Sequence, residues 1–303
     1  MKALVTGGAG FIGSNLVDEL IKQGHEVIVV DDESAESNSQ FYWNFQAKNY
    51  WVSILDKDRL NEIFEEHKPE YVFHLAAFAR IPPSIKNPVL SCEVNVVGSC
   101  NVLQCCRNHG VKRVMYSGTS SAYGLKNEPP LKEDMARDCL NPYSVSKTAA
   151  EDLFKMYYTL YGLECVIFRY FNIYGERQPL KGQYAPVVGI FLRQKQAAEE
   201  LTIVGDGTQR RDFTHVSDVV RANIMAAETK NKDALGEVFN VGTGKNYSVN
   251  EIADMIDNKQ VNIPPRKGEA KTTLADISKI KNLIGWEPTV DIQDWINQQL
   301  NNV

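Results

Sequence analysis

The sequence predicts an α/β chain: a doubly wound parallel sheet followed by a smaller C-terminal α/β lobe. Three observations carry this. Near the start, an apolar run meets a glycine-rich turn and then apolar residues at helical spacing. Up to Tyr170, short β-branched runs alternate with longer amphipathic stretches, the rhythm of parallel strands joined by crossover helices. Beyond Tyr170 that rhythm loosens. Residues 1–170 are therefore read as the first domain and 171–303 mainly as the second, with a segment at about 212–242 returning to the first.

The glycine turn organises the rest. Ala3-Leu4-Val5 is short enough for a strand, and Phe11, Ile12, Leu16, Val17 and Leu20 follow at helical spacing. Between them, Gly8-x-Gly10-x-x-Gly13 matches the dinucleotide fingerprint, and Gly7-x-x-Gly10-x-x-Gly13 is a wider spacing of the same idea. Missing side chains let backbone approach a pyrophosphate, while the helix start offers N–H groups and a positive dipole end. The unit is therefore Rossmann-like. A second strand at 26–30 ends in Asp31, eighteen residues after Gly13. An acid there suits a ribose diol and repels a 2′-phosphate, which points to NAD rather than NADP. Alone, Asp31-Asp32 also suits an ordinary turn.

Residues 33–50 lack periodicity and read as a loop at the adenosine edge. A third strand is placed at 51–55 and an amphipathic helix at 57–67, carrying Leu60, Ile63 and Phe64. The fourth strand, 71–75, exits into Ala76-Ala77, small residues that let backbone lie against a flat ligand. Then come a long helix at 88–109, a strand at 111–117, a long helix at 141–161 and a strand at 166–170. In the C-terminal part, helices are read at 182–200, 217–228, 277–284 and 292–300, with strands at 201–204 and 237–241. Ser248-Val249-Asn250-Glu251 is a capping box, and Gly285 is a natural C-cap.

At 303 residues, one continuous core with a smaller lobe accounts for the chain. The net charge of −5, with Lys and Arg scattered, offers no basic patch for nucleic acid. The first strand starts at residue 2, so no signal peptide is expected, and no apolar run approaches the ~20 residues of a membrane span. Six cysteines lack C-x-x-C spacing, and five fall within expected helices or strands, where buried thiols are expected. A reducing cytoplasmic setting fits. The five histidines never pair at ligand spacing, so no metal site is expected.

The chemistry is read at Tyr143 and Lys147, whose i,i+4 spacing puts phenol and ammonium on one helix face. A free phenol, with a pKa of ~10, is a poor base at neutral pH. A nearby lysine and a positively charged nicotinamide both favour phenolate. Alone such a pair is common on solvated helices; behind a glycine fingerprint it reads as a proton-transfer pair. Before it, Ser117-Gly118-Thr119-Ser120-Ser121-Ala122-Tyr123-Gly124 crowds hydroxyls at a strand end, well placed for a substrate oxygen. Alone these too are ordinary turn residues.

Several motifs then fall into one order. Thr6-Gly7-Gly8-Ala9-Gly10-Phe11-Ile12-Gly13, His74-Leu75-Ala76-Ala77, Tyr123-Gly124, Asn141-Pro142-Tyr143-x-x-x-Lys147 and Arg169-Tyr170-Phe171-Asn172 resemble the extended short-chain dehydrogenase/reductases. Within these, the chain is most similar to nucleotide-sugar 4-epimerases of the UDP-galactose and UDP-N-acetylglucosamine type, from residue 2 to about Trp286. The resemblance implies that Tyr143 moves the sugar's 4-hydroxyl proton, assisted by Thr119, while Lys147 tunes Tyr143 and bonds the nicotinamide ribose. It implies an NAD site formed by Gly7, Gly10, Phe11, Ile12, Gly13 and Asp31, completed by Ile54, Leu75, Ala76, Ala77, Ser117 and Tyr170. Ser120 and Ser121 stand where 4,6-dehydratases carry Asp-Glu, which argues against dehydration.

On the substrate side, Arg211-Asp212-Phe213-Thr214-His215-Val216 resembles the family's diphosphate-binding arginine segment. Arg266-Lys267-Gly268-Glu269 resembles a second, with Glu269 placed for the uridine ribose. Asn172 matches an asparagine that contacts the diphosphate. Arginine suits phosphate because its planar fork donates two parallel bonds. Thr273 takes the place of a residue that closes the pocket near the sugar's C2 substituent. A threonine there leaves room for an acetamido group, so UDP-GlcNAc/UDP-GalNAc are the implied substrates, with UDP-Glc/UDP-Gal accepted less well or equally. Ser53 replaces an acid that often bonds adenine, which leaves that contact unassigned. Related enzymes pair as homodimers through the helices equivalent to 88–109 and 141–161. Three other readings stay open: a uronate 4-epimerase or decarboxylase, a non-catalytic NAD-sensing protein, and a relative that binds neither ligand.

Overall fold

In the computed structural model, which describes residues 1–35, 40–180, 185–257, 259–265 and 270–301, the site hangs from a seven-stranded parallel sheet. Its strands are β1 (Lys2–Thr6), β2 (Glu26–Asp31), β3 (Lys48–Trp51), β4 (Tyr71–His74), β5 (Arg113–Thr119), β6 (Glu164–Tyr170) and the strand Val238–Val241. The order across the sheet is Val238–Val241, β6, β5, β4, β1, β2, β3. Successive strands step away from β1 in both directions. A crevice therefore opens at the carboxyl ends of β1 and β4, the usual ligand position in such sheets.

Helices cover both faces, which is why the strand interiors are apolar throughout rather than alternating. On one face, Leu16, Val17 and Leu20 of α1 (Phe11–Lys22) pack with Val219, Val220 and Ile224 of the helix Val216–Glu228. On the other, Leu60, Ile63 and Phe64 of α2 (Lys57–His67) pack with Val102, Leu103, Phe154 and Tyr157. The C-terminal part has its own cluster around Phe191, Leu201, Phe213, Ile252, Trp295 and Ile296.

Local differences from the expected elements have local causes. The third strand is Lys48–Trp51, not 51–55, so the end of the presumed loop 33–50 pairs with β2. Residues after Trp51 turn instead: Asp56 N–H reaches Ser53 O at 3.0 Å, and the Asp56 carboxylate caps α2. An unforeseen helix, α3 (Ile81–Lys86), carries Pro82 and Pro83 in its first turn. Prolines are tolerated in a first turn because their missing N–H groups have no intrahelical partner there. The helix expected at 88–109 is three pieces: Pro88–Cys92, a π-helical turn Glu93–Gly98, and Ser99–Asn108. The strand expected at 111–117 runs Arg113–Thr119; of the helix expected at 182–200, residues 182–184 lie outside the described residues and Val187–Gln196 is helical.

Two compositional expectations also need correcting. Pro88–Asn108 is a 21-residue helical stretch with a window of mean hydropathy 1.3, long and apolar enough to cross a membrane by length and composition. Here it lies on the sheet, with Val102, Leu103 and Cys106 buried. Of the six cysteines, all free, Cys105, Cys106 and Cys165 are buried, Cys100 and Cys139 half-buried, and Cys92 exposed.

The helix Pro142–Tyr161 starts where its sequence dictates. Asn141 accepts the Ser144 N–H at 2.9 Å, the Ser144 hydroxyl bonds back to the Asn141 backbone, and Pro142 fills the first turn. Gly162 ends it in the left-handed conformation.

Candidate active site

The glycine turn is packed too tightly for side chains. Gly7 sits at φ +69°, and a Cβ there would lie 2.7 Å from Ala76 N; one at Gly13 would lie 2.0 Å from Gly7 O. α1 begins at Phe11 with Gly10 before it, and no side chain caps its first turn. Such an uncapped helix start at a strand end suits a pyrophosphate. At the end of β2, Asp31 accepts Ala9 N–H at 3.0 Å and Glu33 N–H at 2.8 Å. Burial raises its carboxyl pKa, and the two N–H bonds oppose that. This cradle fits a dinucleotide. Phe11 and Ile12 open α1 beside it. Ile54 turns inward against Gly98 and is 4% exposed, so its side chain serves packing and offers a ligand little surface.

A relay of hydrogen bonds shapes the exit of β4. Ser99 Oγ donates to Asn95 O at 2.6 Å, and so accepts from His74 Nε2 at 2.9 Å. Burial, with the Lys147 charge second, lowers the His74 pKa to about 3, so the ring is neutral. Its Nδ1 then accepts from Thr6 Oγ1 at 2.7 Å, and Thr6 Oγ1 accepts Ala76 N–H at 3.2 Å. The tautomer follows from this network. Leu75 N–H bonds Thr6 O at 3.1 Å, so Leu75, Ala76 and Ala77 leave the strand on a fixed path beside the glycine turn.

Thr119 ends β5, and Tyr143 and Lys147 lie one turn apart on the helix Pro142–Tyr161. Thr119 Oγ1 accepts Ser121 N–H at 3.1 Å, which closes the Ser120–Tyr123 turn and leaves Ser120 and Ser121 half-buried at its start. Thr119 also hydrogen-bonds the Tyr143 side chain. Lys147 is buried, with Nζ 4.5 Å from the Tyr116 ring centroid, and burial lowers its pKa to about 7. Burial raises the Tyr143 pKa, and the groups opposing it are the Thr119 hydrogen bond and the Arg80 charge. Nearby, Ser117 Oγ lies 3.1 Å from Tyr170 OH, which also accepts from Asn223 Nδ2 at 2.7 Å.

A cavity of about 270 Å³ lies between the loop after β4 and the C-terminal part, lined by Arg80, Asn172, Phe191, Thr202, Arg211 and Phe213 among others. Asn172 donates to Asp212 O at 2.9 Å and to Thr273 Oγ1 at 3.3 Å. Thr273 does not line this cavity; its hydroxyl braces Asn172, which does. Arg266 and Glu269 lie outside the described residues. Sequence reasoning missed Arg80, Ser84, Asn95 and Ser146. Asn95 and Ser146 were detectable as polar residues set within apolar helical stretches.

The NAD dependent epimerase/dehydratase family matches residues 3–242. The chain is 38% identical over 305 residues to a putative UDP-glucose 4-epimerase of Methanocaldococcus jannaschii, covering 98% of this chain and 97% of that protein. It is 36% identical over 317 residues to a UDP-glucuronate 4-epimerase of Thermodesulfobacterium geofontis, covering 98% and 94%. The structure of a Thermotoga maritima UDP-glucose 4-epimerase with UDP-glucose superposes with a TM-score of 0.93 at 38% identity, covering 99% of this chain and 98% of that one. Because likeness of this degree runs through the C-terminal part as well as the glycine turn, the chain belongs to the NAD-dependent epimerase/dehydratase family, as an NAD-dependent nucleotide-sugar 4-epimerase.

Proposed function

We propose that the protein inverts C4 of a UDP-sugar, with UDP-N-acetylglucosamine and UDP-N-acetylgalactosamine the preferred pair and the plain hexoses accepted less well or equally. Thr273 carries the choice of sugar: it is small, half-buried, and bonded to the cavity residue Asn172. Tyr143 takes the 4-hydroxyl proton, with Thr119 bonded to its phenol. NAD, when bound, supplies the hydride acceptor and donor at C4. Asn172 and Arg211 hold the diphosphate while the 4-keto sugar turns over about that link, and Tyr143 then returns the proton to O4. Hydroxyls at Ser120 and Ser121 give no acid–base pair for expelling water. Lys147 orients the nicotinamide ribose. We also infer a homodimer, and a cytoplasmic setting supported by the six free thiols.

The test is a panel of UDP-sugars, UDP-glucuronate included, followed by NMR for C4 inversion without added NAD. Thr273→Tyr is expected to suppress the N-acetylated sugars tenfold or more, about 1.4 kcal/mol of barrier, and to spare UDP-glucose. Thr273→Val, which keeps the size but removes the bond to Asn172, is expected to keep the sugar preference. If Thr273→Tyr lowers both sugar classes together, Thr273 is a brace and not a gate, and the assignment to acetylated sugars fails.

A further inference from the structure

Residues 42–44, in the connection from β2 to β3, lie against the glycine turn. Tyr42 N–H donates to Ala9 O at 2.8 Å, while Ala9 N–H donates to Asp31 at 3.0 Å. Ala9 is thus bound through both of its backbone groups. Asn44 Nδ2 donates to Asp18 Oδ1 at 2.7 Å, and the Asn44 carbonyl accepts Asn49 Nδ2 at 2.8 Å. These bonds hold residues 42–44 to α1 as well as to the turn.

The C-terminal part reaches the same place. After Asn172, Ile173 and Tyr174 pair in parallel with Thr214 and His215, and the chain then turns onto α1. Asn15 Nδ2 donates to Glu176 O at 3.0 Å, and the Arg177 guanidinium pairs with Asp18 Oδ2. The same guanidinium lies 4.9 Å from the centre of the Tyr42 ring, within cation–π range. Asp18 therefore joins Asn44 through one oxygen and Arg177 through the other. Glu176 is anchored in turn: it accepts Trp295 Nε1 at 2.9 Å, and His215 Nε2 lies 3.2 Å from its other oxygen.

Two features show that Arg177 is held there against its own preference. Its φ is +65°, a left-handed conformation uncommon outside glycine. Its Nη1 is buried with no hydrogen-bond partner among the described residues. Such departures persist where the surroundings over-determine them, and they gather at ligand clamps and switch regions. Folding energy does not account for the arrangement, because an ion pair whose side chains are 29% and 38% exposed stabilises little. What the pair does is fix Tyr42, and through Tyr42 the turn.

We propose that Tyr42, Asp18 and Arg177 form a latch on the dinucleotide turn. Residues 42–44 hold Ala9, and Arg177, reaching over from the C-terminal part, locks them down, so that bound NAD is retained until the latch opens. All three are positioning residues, acting on the cofactor through the turn. The paired residues Ile173 and Tyr174 stand between the latch and Asn172, so opening it leaves Asn172 in place.

The inference does not depend on which sugar is turned over, and its test reads NAD itself. Protein loaded with radiolabelled NAD is chased with unlabelled NAD, and the label still bound is counted on filters against time. Arg177→Met is expected to release NAD about tenfold faster, and Tyr42→Leu, which leaves the Arg177–Asp18 pair, to do the same. Arg177→Lys is expected to restore most of the retention. Because both residues act through one contact, the double variant is expected to be no faster than either single one. Affinity for UDP is expected to stay unchanged in all of them. An unmoved release rate in both Arg177→Met and Tyr42→Leu overturns the proposal, whatever their melting temperatures. So does a double variant whose effect is the product of the two single ones, since the residues then act independently. A fall in UDP affinity with NAD release unmoved makes the 175–178 loop a substrate brace and overturns it as well.

Discussion

Lys147 shows what a single residue costs when placed for chemistry. The residue is 3% exposed, and no carboxylate pairs with its ammonium among the described residues. Burial lowers its pKa from an ordinary 10.5 to about 7. Between those values the unfolded chain carries a proton that the folded one has released, so the cost to stability is full below pH 7 and fades as pH rises toward 10.5. We therefore expect Lys147→Met, without NAD, to melt at a higher temperature than the parent at pH 7 while losing turnover. That advantage shrinks as pH is raised; a melting difference independent of pH refutes the account. The placing of Tyr143 and Lys147 one turn apart on one helix was legible in the sequence, because i,i+4 spacing is a property of the helix itself. What the Lys147 ammonium faces was not: Tyr116 arrives from β5, and no local pattern encodes that meeting.

The elements that were legible are those whose signals are local: the glycine turn into α1, the Asn141–Pro142 start of the catalytic helix, and the Ser248–Glu251 box, which forms as expected. The third strand was misplaced because Lys48–Trp51, at the sheet edge, is largely exposed and has no apolar alternation to read. The two long helices were read as carrying an apolar surplus for a partner. Part of it is consumed inside the chain, since Val102, Leu103, Phe154 and Tyr157 are buried. What remains outside is Val89 (65% exposed), Val97 (52%), Val145 (49%) and Leu160 (66%). On the catalytic helix, Val145, Ala149, Met156 and Leu160 share one stripe. Exposed apolar stripes on adjacent helices suit a second copy of the same surface. Light scattering at micromolar concentration is expected to give a dimer mass, and Val97→Glu combined with Leu160→Glu a monomer. A monomeric parent protein removes the argument.

At the scale of the whole molecule, one carboxylate ties together the segments that make the substrate side. Asp212 is fully buried, and Oδ1 accepts Thr243 N–H and Oγ1, both at 2.7 Å. Its Oδ2 accepts Gly244 N–H at 3.1 Å and Ala275 N–H at 3.0 Å. It thereby fastens the chain leaving the strand Val238–Val241 to the strand-like stretch that carries Thr273. On its own backbone it receives Asn172 at O and bonds Thr273 Oγ1 through N–H. The glycine turn and the groups around it, by contrast, lie within β1, α1, β2 and the β4 exit, and share none of these bonds. Asp212→Asn is nearly isosteric, but it turns one acceptor oxygen into a donor that faces two N–H groups or an N–H and a hydroxyl. Each buried donor left unsatisfied costs about 1–3 kcal/mol, so a loss on the order of 3 kcal/mol in denaturant unfolding is expected. Function should separate along the same line: weaker binding of UDP because Asn172 and Thr273 lose their anchor, with NAD affinity retained. Calorimetric titrations of the variant with each ligand decide this, and equal losses for both would mean that the two sites are not mechanically independent.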